Sequence, residues 1–206
     1  MTEVAPAPTG ADGRALSARG TRTRTRILES AEAVFAEHGY HDASVVKITE
    51  AAGVGQGTFY LYFASKQQVF DELVRDLNRR IRHAMAEQAE KGSTRIEQEI
   101  LGFKGYLDFA AQHQGLYRII RQSAFVSPEI FKWHYDRVSE RYVAALREAV
   151  ERRELGPIDP EVAAWALMAL GETIGLRWIV WGDGEVPPHV VAELGRIVRA
   201  VLDPSQ

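Results

Sequence analysis

The chain predicts an all-α protein, with an N-terminal three-helix helix-turn-helix head followed by a larger helical bundle, about nine helices in all. Three observations carry this. From Arg26 onward apolar residues recur at helical spacing, beginning with Ile27, Ala31, Val34 and Phe35. Capping and breaking residues punctuate the segments, and no stretch alternates apolar and polar residues as a half-buried strand would. With 206 residues and 46% hydrophobic side chains, the chain can bury a substantial core.

The first residues, MTEVAPAPTGADG, lack an apolar signal core and read as part of a disordered tail over residues 1–20. Arg14, Arg19, Arg22, Arg24 and Arg26 form an acid-free run before the first helix. The run is either a solvated tail or an arm reaching phosphates or a minor groove, with Arg22 and Arg24 as the expected contacts. The first helix, RILESAEAVFAEHGY, is closed by Gly39. Ser44 is a natural N-cap for a helix through Val45, Ile48 and Ala52. Gly53 ends that helix in a sharp turn, with Val54 as an apolar plug. The next helix runs from about Gln56 to Phe63.

Ser65 with Gln68 makes a capping box for a fourth helix reaching about Ala89. This helix joins a head over residues 21–66 to a body over residues 67–206, and its movement is a natural route for output. Thr94 with Glu97 opens a fifth helix carrying Ile96, Ile100, Phe103, Leu107 and Ala110 on one face, and Gly115 separates it from a short sixth. Gly102 and Gly105 inside that helix cost about 1 kcal/mol each relative to alanine, so each needs a packing or cavity reason. Ser127-Pro128 and Asp159-Pro160 each set a cap before a proline at the first helical position. The intervening helix ends near Arg153, before Gly156-Pro157. A last helix follows Pro187-Pro188, with Val190, Leu194, Ile197, Val198 and Val201 at helical spacing.

The segment VVKITEAAGVGQGTFYLYFASK, Val45 to Lys66, has the chemistry of a DNA-reading surface. Gln56 stands at the N-terminus of the second helix of the motif, where its amide can pair bidentately with an adenine edge in the major groove. Thr58, Tyr60 and Lys66 supply hydroxyls and a cation for phosphate oxygens, and Gly55 and Gly57 let the backbone approach the duplex. Ser44 and Lys47 lie on the helix facing the phosphates. Tyr62 reads equally as contact or as half-buried packing, whereas Phe59, Leu61 and Phe63 read as core. A dinucleotide-binding reading of GVGQG needs a preceding strand, and here a helix precedes it.

From about Arg24 to Leu73 the order of these elements resembles the N-terminal domain of tetracycline-repressor (TetR) family transcriptional regulators. The motifs that carry the likeness are RILESAEAVFAEHGY, ASVVKITEAAGV and GQGTFYLYFASKQQVFDEL. Two positions depart from the usual pattern: Gly55 stands where serine is common, and Lys47 where an acidic or polar residue is common. The first removes a capping hydroxyl from the recognition helix, and the second adds a cation that can touch phosphate or a guanine edge. The resemblance implies a cytoplasmic, ligand-responsive, homodimeric regulator. Its partners would be a double-stranded DNA operator and a small-molecule effector; the most direct form is a repressor released from a palindrome. Sharing the head but not the sensing body, a ligand-free architectural or activator protein is the alternative.

For the body, the resemblance implies an effector cavity between the middle helices. The candidate lining is Tyr106, Phe109, His113, Tyr117, Phe125, Trp133, His134, Trp165 and Met168, with Phe131 and Trp178 as further aromatics, although aromatic stripes at helical spacing also fill ordinary cores. Arg121, with Arg118 one turn before it, can meet a carboxylate or phosphate or face solvent. An aromatic cation held by aromatic faces and an acid such as Glu172 or Asp108 is a further possibility.

The segment from Val162 to Trp181 is apolar nearly all round and about the length of a membrane span. Glu172 and Arg177 oppose insertion, each charge costing about 2.5 to 3.5 kcal/mol at the bilayer centre. Pairing this helix and the last one with their copies in a homodimer accounts for the same pattern, without a membrane.

No cysteine is present, which excludes disulfides and thiolate zinc sites and is compatible with a reducing cytoplasm. None of the six histidines forms a tight helical ligand pair, so no metal and no cofactor is expected. A net charge of −3 opposes a protein that coats nucleic acid by bulk electrostatics. No Gly-x-Ser-x-Gly elbow or phosphate loop supports an enzyme, despite His113, His134, Asp108 and Glu172 being available for acid-base chemistry.

Overall fold

A computed structural model describes residues 9–203. The described residues form α1 (Ala18–Asp42), α2 (Val45–Ala52), α3 (Gln56–Tyr60), α4 (Lys66–Ala89), α5 (Arg95–Gln112), α6 (Gly115–Val126), α7 (Pro128–Glu151), α8 (Pro160–Gly175) and α9 (Pro188–Leu202). A π-helical turn, Leu176–Val180, extends α8. No strand occurs among the described residues; one isolated antiparallel bridge joins Thr9 and Ala15.

The expected disordered tail lies outside the described residues over positions 1–8. From Thr9 the backbone departs from that expectation. Gly10 N–H donates to the Arg14 carbonyl at 2.9 Å, and Ala11 N–H donates to the Leu61 carbonyl at 2.9 Å. Ser17 then caps α1 by accepting from Gly20 N–H, so the helix begins at Ala18, well before Arg26. The threonine and arginine run has no apolar period to reveal this start. At the other end α1 bends at Gly39 (φ 76°, ψ 171°) and continues for a further turn to Asp42. That backbone region is almost exclusive to glycine.

Two compact units divide the chain. One comprises the chain to Arg75 together with Arg118–Ile130, and the other comprises Asp76–Tyr117 with Phe131 onward, so the division falls inside α4, α6 and α7. The first unit is cored by Ile27, Ala31, Phe35, Ile48, Phe59, Phe63, Phe70 and Leu73, all fully buried. Phe35 and Phe70 meet edge to face at 5.1 Å, and Tyr40 closes on Phe70 at 4.9 Å. Leu61, expected in this core, is instead 67% exposed, because α3 ends at Tyr60 and the chain turns before the position comes round to the core face.

In the second unit α5 packs against α8 and α9, and Leu77, Phe103, Leu107, Leu146, Leu167, Leu194 and Val198 are buried. The capping box at Thr94 and Glu97 forms in both directions, and Asp159 accepts from Glu161 N–H and Val162 N–H ahead of Pro160. Gly105 has a packing reason: a Cβ there would stand 2.5 Å from the Ala84 carbonyl oxygen, so its absence lets α5 approach the backbone of α4. Gly102 has no such constraint, its nearest neighbours lying at 3.9 Å.

Candidate DNA-reading and effector sites

The head builds its reading surface from two caps and a turn. Ser44 Oγ accepts from Lys47 N–H at 3.2 Å, so this hydroxyl is engaged in starting α2. Gly53 adopts left-handed geometry (φ 61°, ψ 40°), and Val54 N–H returns to the Thr49 carbonyl at 3.0 Å. Gly55 begins α3 with no side-chain cap. Gln56, Gly57 and Tyr60 are exposed while Phe59 is buried, so one face of this short helix holds the core and the other is open. Thr58 and Tyr62 are half-buried; Lys47 and Arg22 are exposed, and Lys47 Nζ donates to the Asp42 carbonyl at 3.1 Å.

Two of the expected phosphate contacts have partners within the protein. Lys66 Nζ donates to the Tyr40 carbonyl at 2.7 Å, the Ala43 carbonyl at 2.8 Å and the His41 carbonyl at 3.4 Å, and lies 4.3 Å from the Tyr40 ring centre. Its ammonium therefore satisfies the carbonyls at the end of α1, and burial pulls its pKa below the ordinary lysine range against the opposing charge of Asp42. Arg24 forms an ion pair with Glu72 and lies 4.8 Å from the Phe63 ring centre, folded onto the head's core instead of reaching outward.

In the second unit the structure brings several expected effector residues together. The phenols of Tyr106 on α5 and Tyr117 on α6 hydrogen-bond at 2.7 Å, and the Tyr135 hydroxyl on α7 donates to Glu172 Oε2 on α8 at 3.0 Å. Trp165 stacks on Tyr135, with centroids 6.1 Å apart. Two glycines of α8 permit this closeness. A Cβ on Gly171 would lie 2.9 Å from Phe103, and one on Gly175 would overlap the Tyr117 oxygen. Burial raises the Tyr117 pKa to about 12 and the Tyr106 pKa well above its ordinary value, so both stay neutral phenols.

Other expected lining residues have different roles. His134 is buried, its Nδ1 3.1 Å from the Asn78 amide nitrogen, and Asn78 Oδ1 accepts from Arg82 at 2.9 Å. Desolvation, with a smaller contribution from Arg82, lowers the His134 pKa to about 4. His113 meets Arg80 and lies on Phe109 at 4.4 Å. Trp133 and Met168 are half-buried. Phe125, at 90% exposure, and exposed Arg121 belong to the first unit and are not among the gathered aromatics, because α6 leaves the second unit after Tyr117. Arg118 faces the head, donating to the Ala36 and Glu37 carbonyls at 2.9 and 2.8 Å.

Sequence reasoning missed Tyr135 and Asn78. Tyr135 lies one helical turn from Phe131, a spacing that could have placed it on the same face. Among the described residues no group of three or more histidine, aspartate or glutamate side chains could hold a metal ion. Pro160–Val180 is long and apolar enough to cross a membrane by length and composition alone. Val162, Trp165 and Val180 on that stretch and Trp181 just after it are exposed, as are Ile197 and Val201 on α9.

A helix-turn-helix whose second helix is anchored by Phe59 and open along its other face has the form of a DNA-reading head. The model of bacterial regulatory proteins of the tetR family matches residues 27–73, the head of this chain. An HTH-type transcriptional regulator, YdgC of Bacillus subtilis (strain 168), is 42% identical over 67 residues, 32% of this chain and 34% of that protein. The fatty acid metabolism regulator protein of the same organism is 32% identical over 91 residues, 44% of this chain and 47% of that protein. These matches span about a third and about half of the two relatives' lengths. The fold likeness extends further: the structure of FadR from Bacillus subtilis in complex with stearoyl-CoA superposes with a TM-score of 0.74 at 22% identity, covering 87% of this chain and 98% of that one.

Proposed function

We propose that the protein is a cytoplasmic, homodimeric repressor that reads a palindromic operator and is released from it by a small hydrophobic effector. The observation that carries this reading is the placement of Gln56 at the open start of α3, directly after the Gly53 turn, with Phe59 anchoring the opposite face. Gln56 reads a base edge; Thr58, Tyr60, Lys47 and Arg22 hold phosphates or the backbone close by. The exposed apolar residues of α8 and α9 support pairing with a second copy, which would set two heads on a two-fold axis. That FadR of Bacillus subtilis holds stearoyl-CoA supports effector binding in this fold. Release must be reciprocal: an effector that weakens DNA binding binds more weakly to the DNA complex.

A mobility-shift assay with the gene's own upstream region, at moderate salt, tests this directly. A selective shift is expected, and Gln56→Ala should cut the preference for operator over random DNA by about tenfold to a hundredfold while sparing non-specific binding. Folded protein that gives no selective shift refutes the reading.

A further inference from the structure

Glu172 is a carboxylate with no counter-charge among the described residues. Buried Glu99 and half-buried Glu72 and Asp76 each have a basic partner: Arg95, Arg24, and Arg79 with Arg80, whereas Glu172 is half-buried. Among the described residues Glu172 has the Tyr135 phenol at 3.0 Å, with no lysine, arginine or histidine in ion-pair range.

Its surroundings are aromatic. Tyr135 carries Trp165 on its face, and Tyr106 reaches Tyr117 at 2.7 Å. The Gly175 notch seats the Tyr117 phenol one helical turn from Glu172, and Gly171 seats Phe103 beside it. Side chains from four helices thus converge on one formal negative charge, the phenols of Tyr106 and Tyr117 being held neutral by burial.

We propose that this cluster is a site for an organic ammonium, and that the effector is a hydrophobic amine or quaternary ammonium compound whose cationic nitrogen pairs with Glu172 among the rings of Tyr106, Tyr117, Tyr135 and Trp165. The proposal rests on the effector-responsive reading above. Aromatic faces attract a cation through their quadrupoles, and a half-buried carboxylate beside them adds a charge pair less screened than one in open water. The same carboxylate repels a fatty acid head group or an acyl-CoA phosphate.

Calorimetric titration of the full-length protein with phenyltrimethylammonium and with its neutral isostere tert-butylbenzene tests the site. The cation is expected to bind at least about tenfold more tightly, Glu172→Gln to remove that preference, and Glu172→Asp to keep part of it. Tyr135→Phe, which deletes the phenol but leaves the charge, should retain the preference and guards against misfolding of the Glu172 variants. Equal affinity for the two compounds overturns the proposal. So does cation binding unmoved by Glu172→Gln, or no cation binding at millimolar concentration. The mobility-shift assay is separate, so failure to bind DNA selectively counts against the regulator reading and leaves the titration to decide the site.

Discussion

The side-chain amide of Gln122 closes the bend at Gly39. Its Oε1 accepts from Tyr40 N–H at 2.9 Å, and its Nε2 lies 2.6 Å from where a Cβ on Gly39 would stand. Gly39→Ala therefore meets both a forbidden backbone region and a clash. It should destabilise the protein by about 1 to 3 kcal/mol in urea unfolding. Gln122→Ala should cost about 1 kcal/mol by leaving the Tyr40 amide without its acceptor. In the double variant the clash is gone, so its cost should be less than the sum of the two; strict additivity would mean the amide does not crowd that position.

Lys66 and Lys47 should separate in a salt series. Lys66→Met removes a donor from the carbonyls ending α1 and should lower the melting temperature. It should leave the slope of log affinity for DNA against log salt unchanged, because this cation is held by protein carbonyls. Lys47→Met should instead reduce that slope by about 1 with little change in stability. A slope that falls in the Lys66 variant would return that residue to the phosphate contacts.

His134 predicts a pH effect of definite sign. Asn78 Oδ1 faces Arg82, so its amide nitrogen faces His134 Nδ1, and a protonated ring would set N–H against N–H. The folded pKa is about 4, below the unfolded value of about 6.5. Between these values the unfolded chain takes up a proton that the folded chain refuses, so the contribution is intact above about pH 6.5 and is lost as pH falls towards 4. The loss is up to about 3 kcal/mol. Burial raises the Glu99 pKa, which gives a slope of opposite sign, so the diagnostic is the difference from a His134→Gln variant. Identical pH profiles for the two proteins would exclude the effect.

The apolar face of the last helices can be tested by charge. Replacing Ile197 with aspartate and Val201 with arginine places polar groups on exposed positions of α9, at little expected cost to the monomer fold. Sedimentation should shift from dimer towards monomer at micromolar concentration, and affinity for a palindrome should fall more than affinity for a half-site. Unchanged sedimentation would put the interface elsewhere.

The fold was legible where its signals are local. Ser44, Gly53, the Thr94 and Glu97 box and Asp159-Pro160 each act within a few residues of themselves, and the elements they bound formed as expected. Roles set by distant partners were not legible. Lys66 reads as a free cation until the carbonyls of α1 fold against it, and Arg24 until Glu72 arrives. The π-helical turn after Gly175 was equally hidden, since Trp181 N–H bonding to the Leu176 carbonyl at 3.0 Å leaves no composition cue. At the candidate effector site the α5, α6 and α8 members were visible as aromatics and an acid. Tyr135, which ties Trp165 to Glu172, needed the assembled helices.

Tyr117 and Arg118 are consecutive on one helix, the first joined to Tyr106 and the second to the carbonyls of Ala36 and Glu37. An α-helix resists twisting, and a side-chain tip about 6 Å from its axis sweeps about 2 Å for a 20° turn. A displacement of that size breaks hydrogen bonds of 2.8 and 2.9 Å. Arg118 is thus a brace inside the head's own unit, holding the last straight turn of α1 before the Gly39 bend, on the helix that packs against α2.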